Sequence, residues 1–176
     1  LPLSREVVRR ALESYCDWLI ANRRPDGFLN NNSNEWYRTS YGLRTLLAGY
    51  ALLRKPEYLH GCITCLDRLL LEQLPNGAWC STFRNRPVSQ WPKHVIEGIV
   101  NLRAGTANTA DVGCIVPCLL LARPFVDAQR RAAYLAAAQR YADGWASRFI
   151  LPSGAFSNGL CANIHCKTPY SVATGT

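Results

Sequence analysis

The chain has 176 residues, 48% apolar, 18% charged and 10% aromatic, which suits one globular domain with one core. It carries 20 Lys and Arg against 12 Asp and Glu, a net charge of +8, with every third of the chain contributing to the excess. These values exclude disorder, collagen-like repeats and coiled coil, and the even spread excludes a basic tail.

In chain order, Ser4 to Asn22 carries Val8, Leu12, Tyr15 and Leu19 at spacings of three and four, which predicts an amphipathic helix buried along that line. Trp36 to Arg54 is almost wholly apolar after Arg44, as a helix enclosed on all sides would be, and Pro56 ends it. Glu57 to Leu74 is the next amphipathic helix. Residues 83 to 108 read as an insertion, and Thr109 to Arg123 is again apolar all round up to Pro124. Asp127 to Phe149 is amphipathic and Ala-rich, with Asp127 placed to cap its first turn. Thr168 to Thr176 starts another helical stretch and stops inside it. Strand patterns are nearly absent, so the fold class expected is all-α.

A repeat organises these helices. Asp17–Gly27, Asp67–Gly77 and Asp143–Gly154 each join the tail of an amphipathic helix to Pro, then Asp, Asn or Ser, then Gly. An aromatic residue follows within two positions: Phe28, Trp79 and Phe156. Pro cannot continue the helical ladder, and Gly supplies a turn residue with positive φ. The aromatic is placed to fold back over the helix ends. Amphipathic helices thus alternate with apolar ones, the pattern of an outer row around an inner row, over about two and a half helix pairs. Residues 1–176 are expected to form one α/α toroid domain, or about half of such a ring. The absence of Met agrees with a processed product or a piece of a longer chain.

Gln73-Leu-Pro-Asn-Gly-Ala-Trp79 resembles the Q-x-x-x-G-x-W repeat of the terpenoid cyclase and protein prenyltransferase toroids. The helix alternation more loosely resembles the (α/α)6 carbohydrate-active enzymes, including polysaccharide lyases and glycoside hydrolases. Only that one copy is complete, since Asn22–Phe28 and Phe149–Phe156 lack the Gln and the Trp. The D-x-D-D run of class II terpene cyclases is absent, and the Asn30–Asn34 loop is polar, which favours carbohydrate. The resemblance implies a toroid acting on an oligo- or polysaccharide by hydrolysis or elimination. The alternatives are a terpenoid or prenyl substrate, or a non-catalytic binding or assembly role.

In such toroids the site lies where inner helices begin, which singles out a few residues. Asp111 and Glu35 are the pair of carboxylates a hydrolase would need. A uronate lyase would neutralise the substrate carboxylate with Arg38 and Asn108 and move protons with His165 and Tyr170. Trp36 and Tyr37 are candidates for stacking on sugar faces, and Arg38 and Arg84 for holding a uronate. Seventeen of the basic residues are Arg, which grips carboxylates at two points, and the diffuse positive field favours an anionic glycan. No basic stripe or recognisable module points to nucleic acid. The longest apolar run, 112–122, contains Pro117 and falls far short of the roughly 20 residues of a membrane span. Self-association, or the remaining segments of a toroid, is the other partnership expected.

Cys16, Cys62, Cys65, Cys114 and Cys118 lie in apolar periodic stretches and are expected to pack as small hydrophobes. Cys161, His165 and Cys166 are metal-capable, but no fourth ligand accompanies them, so neither a metal nor a cofactor is expected.

Overall fold

A computed structural model describes residues 4–29, 35–80, 83–94, 96, 112–150 and 152–154, and the regular elements among them are helices, with no strand. Five α-helices account for most of them: α1 (Arg5–Ala21), α2 (Trp36–Leu53), α3 (Pro56–Leu71), α4 (Val116–Ala122) and α5 (Ala128–Gly144). Local chemistry sets their ends. The Ser4 hydroxyl accepts the Val7 amide at 3.2 Å, and the Asp127 carboxylate accepts the Arg130 amide at 2.8 Å, each occupying an amide that the first turn leaves unpaired. Arg54 stops α2 with a left-handed φ of 58°, and Pro56, whose missing amide costs nothing in a first turn, opens α3.

Consecutive helices run antiparallel. The Cys16 thiol points at the Thr45 carbonyl, Gly42 lies against Leu19, and the Cys62 thiol points at the Leu43 carbonyl. Helices two apart run in the same direction. Cys118 meets Ser40 and Phe125 meets Tyr50, which aligns α4 with α2. Asp17 meets Tyr58 and Ile20 lies beside Gly61, which aligns α1 with α3. Two rows result, α1–α3–α5 and α2–α4, with one core between them. Its largest enclosed side chains are Trp36, Trp79, Trp145, Tyr58 and Tyr134.

The Pro-containing repeat is present in the structure. In Arg24–Gly27 the Gly27 amide donates to the Arg24 carbonyl at 2.9 Å, and the Arg24 amide donates to the Phe28 carbonyl at 3.0 Å. Leu74–Gly77 repeats both bonds, Gly77 to Leu74 at 2.9 Å and Leu74 to Ala78 at 2.8 Å. The side chains of Asp26 and Asn76 each accept the amide two residues on, at 3.0 and 3.2 Å. Gly27, Gly77 and Gly154 all have φ between 80° and 87°. The following aromatics, Phe28 and Trp79, are buried as the plugs expected of them, while Phe156 lies outside the described residues.

Each of the first two turns docks on the next helix of its row. A Cβ on Gly77 would stand 2.0 Å from the Arg140 carbonyl oxygen, and one on Gly144 would stand 2.5 Å from that of Asn76. Gln73 ties the joint, donating to the carbonyls of Gly77 at 3.1 Å and Ala137 at 2.8 Å and accepting from Arg140. A part-buried polar contact reinforces each docking. Asp17 receives the Tyr58 hydroxyl and the Lys55 ammonium, and Asp67 receives the Tyr134 hydroxyl at 2.8 Å and Arg130 at 3.1 Å.

Three expectations need correction. The α1 line is not uniformly buried, because Val8 and Tyr15 are exposed while Leu19 and Cys16 are enclosed; α1 packs through its C-terminal half. The apolar helices are not enclosed on all sides: α2 exposes Tyr41 and Leu52, and α4 exposes Leu120 and Leu121, because the second row is covered from one side only. The helix expected over Asp127–Phe149 ends at Gly144, where the backbone comes close to Asn76, and a 3-10 turn, Ala146–Phe149, follows. The stretch from Thr168 onward lies outside the described residues.

The docking geometry sets apart two glycines with the same backbone twist. Gly77→Ala is expected to cost at least about 2 kcal/mol, from left-handed strain plus a backbone clash. Gly154→Ala, with nothing within 4 Å among the described residues, should cost only about 1 kcal/mol. Urea unfolding of the two variants checks the ranking.

Candidate functional site

The first turn of α2 gathers three of the candidate residues. Glu35 precedes the helix and pairs with Arg38 at 3.0 Å. Arg38 also donates to the Tyr37 hydroxyl at 2.8 Å, and its guanidinium lies 5.5 Å from the centre of the Tyr37 ring. The Tyr37 bond, then the Glu35 charge, hold the Arg38 pKa above its ordinary value. Tyr37 is half-buried, and Tyr41, one turn on along the same face, is 59% exposed. Arg44 continues that side of the helix, reaching the Cys114 carbonyl before α4 at 3.0 Å.

Trp36 does not join this surface. Expected to stack on a sugar, it is fully buried and meets Phe28 and Phe83 edge-on, each at 5.3 Å. Phe28 and Phe83 stack at 4.4 Å, and Arg24 covers both rings. The cause is its place just inside the helix start, where the ring fills the space between the first turn and the 83–86 segment. Its indole nitrogen and the Thr39 hydroxyl one turn later are buried without a hydrogen-bond partner. Such groups forfeit the hydration they had in the unfolded chain.

Arg84 is held by its own surroundings. Its guanidinium lies 5.8 Å from the Trp91 ring centre and 3.3 Å from the Cys80 sulfur. Phe83 ties this segment to Trp36, so Arg84 borders the start of α2 without pairing with Glu35 or Arg38. Asn108, Asp111, His165 and Tyr170 lie outside the described residues, as do Cys161 and Cys166. Trp79 is buried, and its indole donates to the Leu69 carbonyl at 2.8 Å, so it serves the repeat and offers no open ring face.

One acid was missed in the sequence. Glu72 is 2% exposed at the C-terminal end of α3, and both its oxygens accept the Arg84 amide, at 3.1 and 3.0 Å. The amides of Asn85 and Arg86 also point at it. Asn85 has a left-handed φ of 55°, so consecutive amides converge on the carboxylate as in an anion-binding nest. Burial pushes its pKa up to about 7, opposed by those amides and by Arg68. The sequence carried a signal: an acid at a helix C-terminus opposes the helix dipole and needs a local reason. Glu72 anchors the 83–86 segment beside α2, and enclosure keeps it from reaching a ligand.

Among the described residues no group of His, Cys, Asp and Glu could hold a metal ion, and no helix is long and apolar enough to cross a membrane. The cysteines there are free, and Cys16, Cys62, Cys65, Cys80 and Cys118 are buried. Burial raises the Cys16 and Cys118 thiols to about 11, which makes them poor nucleophiles. Comparison of the chain with protein-family models, curated proteins and solved structures gave no match.

Glu72 gives the fold a pH dependence. Its carboxyl binds its proton more tightly folded than unfolded, so its contribution is favourable at acid pH and is lost as pH rises from about 4.5 to about 7. The full loss is on the order of 3 kcal/mol. Glu72→Gln, which keeps the shape and removes the titration, should flatten unfolding free energy against pH across that window. An unchanged slope in denaturant titrations would assign the dependence elsewhere.

Proposed function

We propose that the two helical rows are part of an α/α toroid and that the chain is a carbohydrate-active domain. In this reading an anionic, uronate-bearing oligo- or polysaccharide lies along the open face of α2. The observation that carries the reading is the pair Tyr37 and Tyr41, two partly or largely exposed aromatic rings one helical turn apart with Arg38 and Arg44 beside them. Aromatic faces pack against the C–H faces of sugar rings, and Arg pairs with carboxylates in two-point fashion. The Arg38 side chain is half exposed, so an incoming uronate can reach the guanidinium from solvent while the buried Oε2 of Glu35 keeps its place on the other side.

Two reactions suit the residues. In elimination, Arg38 with Asn108 neutralises the uronate and thereby acidifies its neighbouring C–H; His165 or Tyr170 takes that proton, a C=C bond forms as the glycosidic C–O bond breaks, and the departing oxygen is protonated by the other of the two. In hydrolysis, Glu35 and Asp111 divide the roles of acid and of base or nucleophile. A second reading, an isoprenoid or other apolar ligand, is favoured by the exposure of Leu52, Leu120 and Leu121 on the same helical row.

Titration calorimetry with oligogalacturonides and matched neutral oligosaccharides separates these readings. Binding of the acidic series alone is expected, with Tyr41→Ala weakening it about tenfold and Arg38→Ala removing the preference for acid. An unsaturated, ultraviolet-absorbing product marks elimination, and new reducing ends without it mark hydrolysis. Equal affinity for neutral sugars, or binding only of a prenyl alcohol, would overturn the reading.

A further inference from the structure

The repeat makes the same interface twice within the chain and leaves both of its halves open at the ends of the described structure. In α3, four positions are covered by the unit before: Tyr58 by Asp17, Gly61 by Ile20, and Thr64 with Cys65 by the turn at Gly27. In α5 the corresponding positions lie 76 residues later and are covered in the same way. Tyr134 meets Asp67, the Ala137 carbonyl meets Gln73, the Arg140 carbonyl lies against Gly77, and Tyr141 lies against Trp79 at 5.6 Å.

Helix α1 carries the same positions 50 residues before those of α3, namely Val8, Ala11, Ser14 and Tyr15, and all four are exposed. Where Tyr58 and Tyr134 are fully enclosed, Val8 is 51% exposed, and Tyr15 is 46% exposed where Cys65 and Tyr141 are covered. Tyr15 also stacks on exposed Trp18 at 5.9 Å, which extends the apolar strip. Arg5 takes the place of Lys55, the cation of the first contact. This is a receiving edge with nothing seated on it among the described residues.

The giving edge lies on the third unit. Asp17 and Asp67 each precede a turn glycine by ten residues, and Asp143 precedes Gly154 by eleven. Asp143 is exposed, and no partner faces its carboxylate among the described residues. Gly27 and Gly77 abut the next helix of the row, with a Cβ 2.6 Å from Thr64 and 2.0 Å from Arg140 respectively, whereas among the described residues nothing lies within 4 Å of a Cβ on Gly154 despite the same positive φ.

We propose that this chain associates head to tail with a second copy of itself, the third-unit turn and Asp143 of one copy seating on Val8, Ala11 and Tyr15 of α1 in the other. The occupant follows from the repeat. A surface shaped to seat a turn of this type, with Arg5 at the place of the pairing cation, meets a turn of that type with a spare carboxylate. The contact is heterologous, so it closes into a ring or continues as an array. It is independent of the carbohydrate reading and involves neither Tyr37 nor Tyr41.

Light scattering across a concentration series, with the intact chain, tests the proposal. Wild type is expected to grow with concentration. Val8→Tyr restores the hydroxyl found at both internal contacts and should tighten association about tenfold. Asp143→Lys, which faces Arg5 with a like charge, and Tyr15→Glu, which places a charge in the apolar strip, should each abolish growth. Circular dichroism on these exposed positions verifies that the fold is retained. The decisive sample mixes Asp143→Lys with Tyr15→Glu: each retains one good edge, so together they form a dimer that grows no further. Monomers at every concentration for wild type and Val8→Tyr overturn the proposal. So does association that the two edge variants leave unchanged, which would assign it to another surface, or wild type saturated by a different protein that blocks both edges.

Discussion

The backbone of the Pro-Asn-Gly turn comes into contact with the backbone of α5, and the surrounding structure depends on that approach. Only a residue without a Cβ fits at Gly77 and at Gly144, because the carbonyls of Arg140 and Asn76 occupy the space a side chain would take. Once the two backbones are that close, Gln73 reaches both the carbonyl of its own turn and that of Ala137. Trp79 then lies under the joint against Tyr141. Close packing gives direction as well as affinity: it holds α5 parallel to α3 and thereby sets where α4 lies against α2.

Polar contacts do related work farther from the turns. Asp67 with Tyr134 and Arg130 is the counterpart of Asp17 with Tyr58 and Lys55, although the cation lies four residues before the tyrosine in one and three in the other. The carboxylates retain some contact with solvent, so their desolvation is modest, while each tyrosine is wholly enclosed and needs a partner for its hydroxyl. These contacts fix how far one helix slides past the next. Apolar packing alone would tolerate several such registers.

Much of this was legible in the sequence, for identifiable reasons. The Pro-Asx-Gly spacing, with Ser for Asx in the third unit, survives because its turn requires a left-handed residue at one position, a demand few residues other than Gly meet. Helix ends marked by Ser4, Pro56 and Asp127 were equally readable, since capping is local chemistry. The pairing of Asp17 with Tyr58 was not, because it joins residues 41 apart through tertiary geometry. The enclosure of Trp36 was likewise hidden: an aromatic at the start of an apolar helix reads the same whether it faces a cleft or, as here, the packed rings of Phe28 and Phe83. Of the candidate site, the Glu35–Tyr37–Arg38 group is local in sequence and could be read from it, while for Glu72 the sequence offered only its place at a helix C-terminus, and the amides that receive it came into view once α3 and the 83–86 segment were brought together.

The free thiols give the molecule internal clocks. Cys16 lies in α1, Cys62 and Cys65 in α3, Cys80 after the second turn and Cys118 in α4, so both helical rows hold at least one enclosed sulfur. A maleimide or an oxidant reaches such a sulfur only when its helix separates from its neighbours, so each alkylation rate measures the opening of one part of the molecule. Oxidation of these enclosed thiols is therefore governed by breathing motions, and a ligand or partner that quiets those motions protects thiols it never touches.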